Sequence, residues 1–186
     1  MLQLAQIRKK FNSIVSMNKN TSVFVHIGDM LDRDYVIDFD VFLPSIGKNL
    51  QRPFVWTLFQ KQQLILSILK GITIPKVSVV QYKDDIGPNP NRTITIKVID
   101  GKQRINTILE FYQNKFPIEW EGNEYYFDDL DKWGKYEISS FTILGDVAYE
   151  YPDRRITDED LIGWFEQINF SGTPQDIDHI NSLKAK

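Results

Sequence analysis

The chain of 186 residues contains no cysteine, so disulfides and thiolate metal sites are excluded, and the redox compartment is left open. Histidine is almost as scarce. His26 and His179 stand far apart and in no metal-binding spacing, which argues against a structural zinc site and against a histidine-dependent nuclease centre. No apolar stretch is long enough to span a bilayer. The N-terminus carries Arg8, Lys9 and Lys10 followed by polar residues and lacks the apolar region of a signal peptide, so no membrane association is expected and a cytoplasmic protein is the default. An excess of basic residues is missing too. The net charge of −3 and a pI near 5.4 argue against indiscriminate duplex binding, which depends on neutralising phosphates. There is no internal repeat and no low-complexity linker, and 42% hydrophobic residues suffice for one core, which predicts a single domain over residues 1–186.

What is present centres on two Arg-bearing elements, each placed where an extended segment hands over to a helix. Thr93-Ile94-Thr95-Ile96-Lys97-Val98-Ile99 alternates, with Ile94, Ile96 and Val98 on one face, and predicts a strand. An Asp-Gly turn follows, then Lys102 to Lys115, where Ile105, Ile108, Leu109, Tyr112 and Phe116 recur at helical spacing. Asp100 and Gln103 admit two readings, a capping box that satisfies orphan N–H groups or a ligand-binding pair. Capping does not account for Arg104, a cation in the first turn that opposes the helix dipole and that an arriving anion would relieve.

In the other element Pro53 holds Arg52 extended, and Thr57-Leu58-Phe59-Gln60 predicts a Thr-capped helix running to Lys70, with Leu58, Ile65, Ile68 and Leu69 on one face. Gly71 and Pro75 end it. Arg52 thus lies ahead of a second helix N-terminus, where backbone donors and a guanidinium can gather around an anion. Phe54 and Trp56 read as core or lid aromatics, with contact to a nucleotide base as the other reading.

Asn49-Leu50-Gln51-Arg52-Pro53-Phe54-Val55-Trp56, the helix Gln60 to Lys70 ending in Gly71-Ile72-Thr73-Ile74-Pro75, and Val98-Ile99-Asp100-Gly101-Lys102-Gln103-Arg104-Ile105-Asn106-Thr107 resemble the N-terminal domain of GmrSD-type modification-dependent restriction enzymes. Ile168-Asn169-Phe170-Ser171-Gly172-Thr173-Pro174 resembles that domain's closing motif. The resemblance implies an α+β fold of the ParB and sulfiredoxin-like kind, a small mixed sheet with packed helices. It implies nucleotide binding, with nucleoside-triphosphate hydrolysis attributed to a D-G-Q-Q-R motif in some members. Gln51, Arg52, Gly101, Lys102, Arg104, Thr107 and Asn169 fall in the implied nucleotide- or phosphate-binding set, and Asp100, Gln103 and Arg104 in the implied catalytic set. Here the motif reads D-G-K-Q-R. Lys102 adds a cation suited to phosphate and removes an amide that could orient water, which leaves that task to Gln103. DNA cleavage in those enzymes belongs to a separate histidine-dependent domain, so a self-sufficient nuclease is not expected. The setting implied is a bacterial cell or a phage-infected host.

Magnesium would arrive with a nucleoside triphosphate and needs only one or two protein carboxylates, for which Asp100 is the best-placed candidate. Asp29, Asp32, Asp34, Asp38 and Asp40 read as solvated turns around a strand at Tyr35-Val36-Ile37. An amphipathic helix is expected from Gln3 to Val15, and strands at Val23 to Ile27, Tyr35 to Phe39, Val77 to Tyr82 and Tyr136 to Leu144. Gly87-Pro88-Asn89-Pro90 marks a loop, and Trp120 to Phe127 a hairpin around Gly122-Asn123. Thr157 to Asp160 starts a capped helix with Leu161, Ile162, Trp164, Phe165 and Ile168 on its apolar side. It leads to Asn169, which either donates to a ligand or holds a turn. Residues 176–186 are a helix in need of a partner or a frayed tail.

Two functional classes follow. One is a nucleotide-binding domain, with or without hydrolysis. The other is a non-catalytic interaction or regulatory module in DNA defence, bacterial or phage-encoded, acting through a nuclease-domain protein or DNA. Neither reading fixes the base or the oligomeric state.

Overall fold

The structure, a computed structural model, describes residues 24–26, 35–82, 94–150 and 155–170. The expected helix at Gln3–Val15, the Gly87–Pro90 loop, Asp29, Asp32 and Asp34, the Gly172-Thr173-Pro174 end of the closing motif and the tail 176–186 lie outside those residues. The fold class is α+β as expected, with helices and a mixed sheet. The described chain divides into two compact units.

One unit contains residues 35–54, 77–102 and the segment from 146 onward. In it β5 (Val77–Tyr82) runs antiparallel to β6 (Ile94–Asp100), and β2 (Tyr35–Asp38) runs parallel to β6 on its other side. β3 (Phe42–Leu43) and β4 (Lys48–Asn49) form a small hairpin after β2. Opposite Ser78–Val79 the register of β6 slips by one residue, so that Ile99 is bulged. That bulge explains a departure from strict alternation. Val98 and Ile99 are adjacent in sequence, yet both are fully buried. Ile99 joins Val41, Leu43, Leu50, Val80, Leu161 and Phe165 in the unit's core. The last two come from α4 (Asp158–Phe170), whose first turn is closed by reciprocal bonds between Thr157 and Asp160, the cap expected from the sequence.

The other unit contains residues 55–76 and 103–145, with β1 (Phe24–His26) paired antiparallel to the start of β9 (Thr142–Glu150). Here α1 (Leu58–Leu69) has Thr57 as N-cap in a full capping box with Gln60, and it ends at Lys70 before Gly71 at φ +74°. Ile65, Ile68 and Leu69 are buried as expected. Leu58 is not on that buried face: it is 49% exposed in the first turn, and the buried set is completed by Gln62, Leu64 and Leu66. Gln62 is held there because its amide donates to the Pro117 carbonyl at 3.1 Å. The helix α2 (Lys102–Tyr112) enters this unit and buries Ile105, Ile108, Leu109 and Phe111. Lys61 on α1 pairs with Glu110 on α2 at 2.7 Å.

Two expected elements differ. Tyr136 belongs to a helix, α3 (Lys132–Ser139), and the strand starts only at Thr142. The reason is local: Asp131 accepts from the Gly134 N–H at 2.8 Å and caps a helix that periodicity alone does not reveal. The hairpin of β7 (Ile118–Trp120) and β8 (Asn123–Tyr125) turns on Glu121-Gly122, both with positive φ, one residue earlier than the Gly-Asn pair.

Candidate phosphate site

The site is built from the end of β6 forward. The bulge at Ile99 delivers Asp100, paired in register with Ser78, to Gly101, whose φ of +100° suits glycine. Helix α2 begins at Lys102. Asp100 is therefore the last strand residue rather than the residue before the helix, and Gln103 is the helix's second residue rather than its third.

Lys102 is the buried cation of the site. It is 7% exposed, and its Nζ donates to Asp40 Oδ1 at 2.6 Å. The two partners differ sharply in environment, for the Asp40 side chain is 69% exposed and that of Lys102 only 8%. Asp40 is presented by a tight turn after β2. Asp38 Oδ1 accepts from the backbone N–H of Asp40 at 3.0 Å and of Val41 at 2.8 Å. Val41 is buried with φ +39°, a left-handed conformation that costs a β-branched residue on the order of 1–3 kcal/mol. Its carbonyl accepts from the Leu50 N–H at 3.0 Å, which ties the turn to the β3–β4 hairpin. In the same unit Gln51 Nε2 donates to the Val98 carbonyl of β6, and the neighbouring Arg52 is exposed. Phe54 is half-buried. Asn169 lies inside α4, not at a turn; it is buried and its Nδ2 donates to the Phe165 carbonyl at 2.7 Å.

The remaining residues of the motif belong to the other unit. Gln103 Oε1 accepts two backbone N–H groups, from Val55 at 3.1 Å and from Trp56 at 3.2 Å. Arg104 Nη2 donates to the Lys76 carbonyl at 3.0 Å. Trp56 is half-buried. Thr107 is fully buried, and its Oγ1 has no hydrogen-bond partner among the described residues.

Asp100 is half-buried at the strand end, and a single carboxylate there matches what a magnesium–polyphosphate complex asks of a protein. Among the described residues no three His, Asp or Glu side chains are grouped to hold a metal by themselves.

Sequence reasoning missed Asp40 as a site residue. It is one acid among several in a run of turns, and nothing in its spacing points to a lysine at the start of a distant helix. It also missed a buried acid in the same unit: Glu150, held by Lys97 at 3.1 Å and Arg155 at 3.5 Å. The Arg155 guanidinium lies over the Tyr82 ring at 4.8 Å.

Comparison with known families matches residues 27–183 to the GmrSD restriction endonuclease, N-terminal domain. The chain belongs to that family, which connects it with restriction and DNA defence. No curated protein and no solved structure matches it. Among the described residues no helix is long and apolar enough to cross a membrane.

Proposed function

We propose that this member of the GmrSD N-terminal domain family binds a nucleoside triphosphate, with the phosphates received at the Asp100–Gly101–Lys102 turn. The observation that carries this reading is the buried Lys102 side chain at the start of a helix, its ammonium paired with a solvent-exposed carboxylate. A buried lysine keeps a counter-anion, and a phosphate can take that place. Gly101 lets the ligand approach the backbone, having no Cβ. Arg52, in the same unit as Lys102, supplies a guanidinium group for the remaining phosphate oxygens. Gln51 braces the segment that carries Arg52 by its bond to the Val98 carbonyl. When bound, magnesium would neutralise phosphate charge, with Asp100 as its protein ligand. Asn169 supports packing within α4 in this reading, through its bond to the Phe165 carbonyl.

The same geometry favours binding over hydrolysis. A water-orienting amide needs its carbonyl oxygen available, and that of Gln103 is occupied by two backbone N–H groups. The test is thermal unfolding of wild type and Lys102→Met with ATP, GTP, CTP or UTP plus magnesium. At a hundred times Kd a ligand adds about 2.7 kcal/mol of stability, in proportion to the logarithm of its concentration. A shift in wild type that Lys102→Met lacks supports the reading and identifies the base; no shift with any nucleotide sinks it.

The second reading, an interaction module for a nuclease-domain protein or DNA, draws on the start of α1. Val55, Leu58 and Phe59 are all exposed there, Phe59 by 67%. Retention of a specific partner by wild type, and its loss with Phe59→Ser, would favour that reading.

A further inference from the structure

We infer that Asp40 is an internal counter-anion that decides which ligands Lys102 accepts, yielding to polyphosphates and holding out against a single orthophosphate. The inference rests on the phosphate-binding reading above and deepens it. The asymmetry of the pair is its basis. The Lys102 side chain is buried, so its ammonium gains from a neighbouring anion; Asp40 stands largely in water, so it can withdraw and be solvated.

The turn that carries Asp40 is built to hold the carboxylate on Lys102. Asp38 fixes the two amides that follow it, and Val41 is kept in a left-handed conformation with its side chain buried and its carbonyl bonded to Leu50. Such a turn positions one carboxylate in place rather than leaving a loose acidic loop near a lysine. A single orthophosphate that displaces Asp40 brings little more negative charge than the carboxylate it replaces and leaves the strained turn without its contact. A di- or triphosphate brings more charge and more acceptor oxygens. Asp40 therefore raises the threshold for every anion and lets through those with charge to spare.

The experiment is calorimetric titration of the full chain with inorganic tripolyphosphate and, separately, inorganic orthophosphate. The proteins are wild type, Asp40→Asn, Asp40→Glu and Lys102→Met. Wild type is expected to bind tripolyphosphate and not orthophosphate. Asp40→Asn should bind tripolyphosphate roughly five- to tenfold more tightly, the scale of one half-exposed ion pair, and should gain orthophosphate binding. Asp40→Glu should behave as wild type, and Lys102→Met should bind neither. If Asp40→Asn does not fold, Asp40→Ser takes its place in the same comparison, and the selectivity of wild type needs no variant. Equal or weaker binding by Asp40→Asn, with Lys102→Met still inactive, overturns the role of Asp40 and leaves the phosphate site standing. Undiminished binding by Lys102→Met, or no binding by wild type, overturns both.

Discussion

The side-chain carbonyl of Gln103 accepts the backbone N–H of Val55 at 3.1 Å, and with the N–H of Trp56 it pins the segment entering α1 to the first turn of α2. This arrangement assigns Gln103 to positioning, because both contacts are to main chain and both depend on an acceptor at that place. Gln103→Ala should lower stability by about 1–2 kcal/mol and speed hydrogen exchange of the Val55 and Trp56 amides. Gln103→Glu keeps an acceptor and should leave both amides protected. Unchanged exchange at those amides in Gln103→Ala would count against the assignment.

The Lys102–Asp40 pair predicts unequal costs for its two halves. Removing the lysine leaves an exposed carboxylate that water can solvate, whereas removing the carboxylate leaves an enclosed ammonium without this partner. Discounted for the exposure of Asp40, Asp40→Ala should cost about 1–2 kcal/mol, and Lys102→Met, whose chain fills the same space, less than about 1 kcal/mol. Denaturant unfolding of the two variants checks the order. A larger loss in Lys102→Met would show that the lysine's other packing dominates.

The parts of the fold that were legible in the sequence are those governed by neighbouring residues. The Thr57–Gln60 box, the Gly71 stop, the strand Val77–Tyr82 and the Thr157 cap each depend on residues within one turn of each other, and each formed as read. The Asp131 cap was equally local, but a glycine at its third helical residue hid it among apparent strand formers. What could not be read was the pairing of side chains distant in the chain. Asp40 meets Lys102 across 62 positions and Gln103 meets Val55 across 48, contacts that no spacing encodes. The D-G-K-Q-R motif marks the turn between β6 and α2, and the two backbone contacts of the Gln103 carbonyl are not encoded in it.

Arg104 offers a test in which structure and binding separate. Its Nη2 donates to the Lys76 carbonyl, so Arg104→Ala should cost about 1 kcal/mol in the absence of ligand. If the guanidinium also serves a nucleotide, the added stability seen with nucleotide and magnesium should disappear beyond that baseline loss. Arg104→Lys, which keeps charge but not the planar fork, should recover only part of it. Equal nucleotide-induced shifts in wild type and Arg104→Ala would confine Arg104 to its carbonyl contact.

Thr107 carries the sharpest choice between packing and ligand contact. Its side chain is fully buried, and its hydroxyl finds no partner among the described residues, so the protein bears the desolvation of a polar group there. Valine has nearly the same shape without the hydroxyl. If Thr107 only packs, Thr107→Val should raise stability by about 1 kcal/mol and leave nucleotide binding intact, while Thr107→Ser, which opens a methyl-sized void, should lower it by a similar amount. If the hydroxyl instead turns to a phosphate or to magnesium on binding, Thr107→Val would be as stable as expected yet weaker for nucleotide, and Thr107→Ser would retain affinity despite its lower melting temperature. Thermal unfolding of the two variants, with and without nucleotide, distinguishes these outcomes because stability and affinity move in opposite directions in the second case.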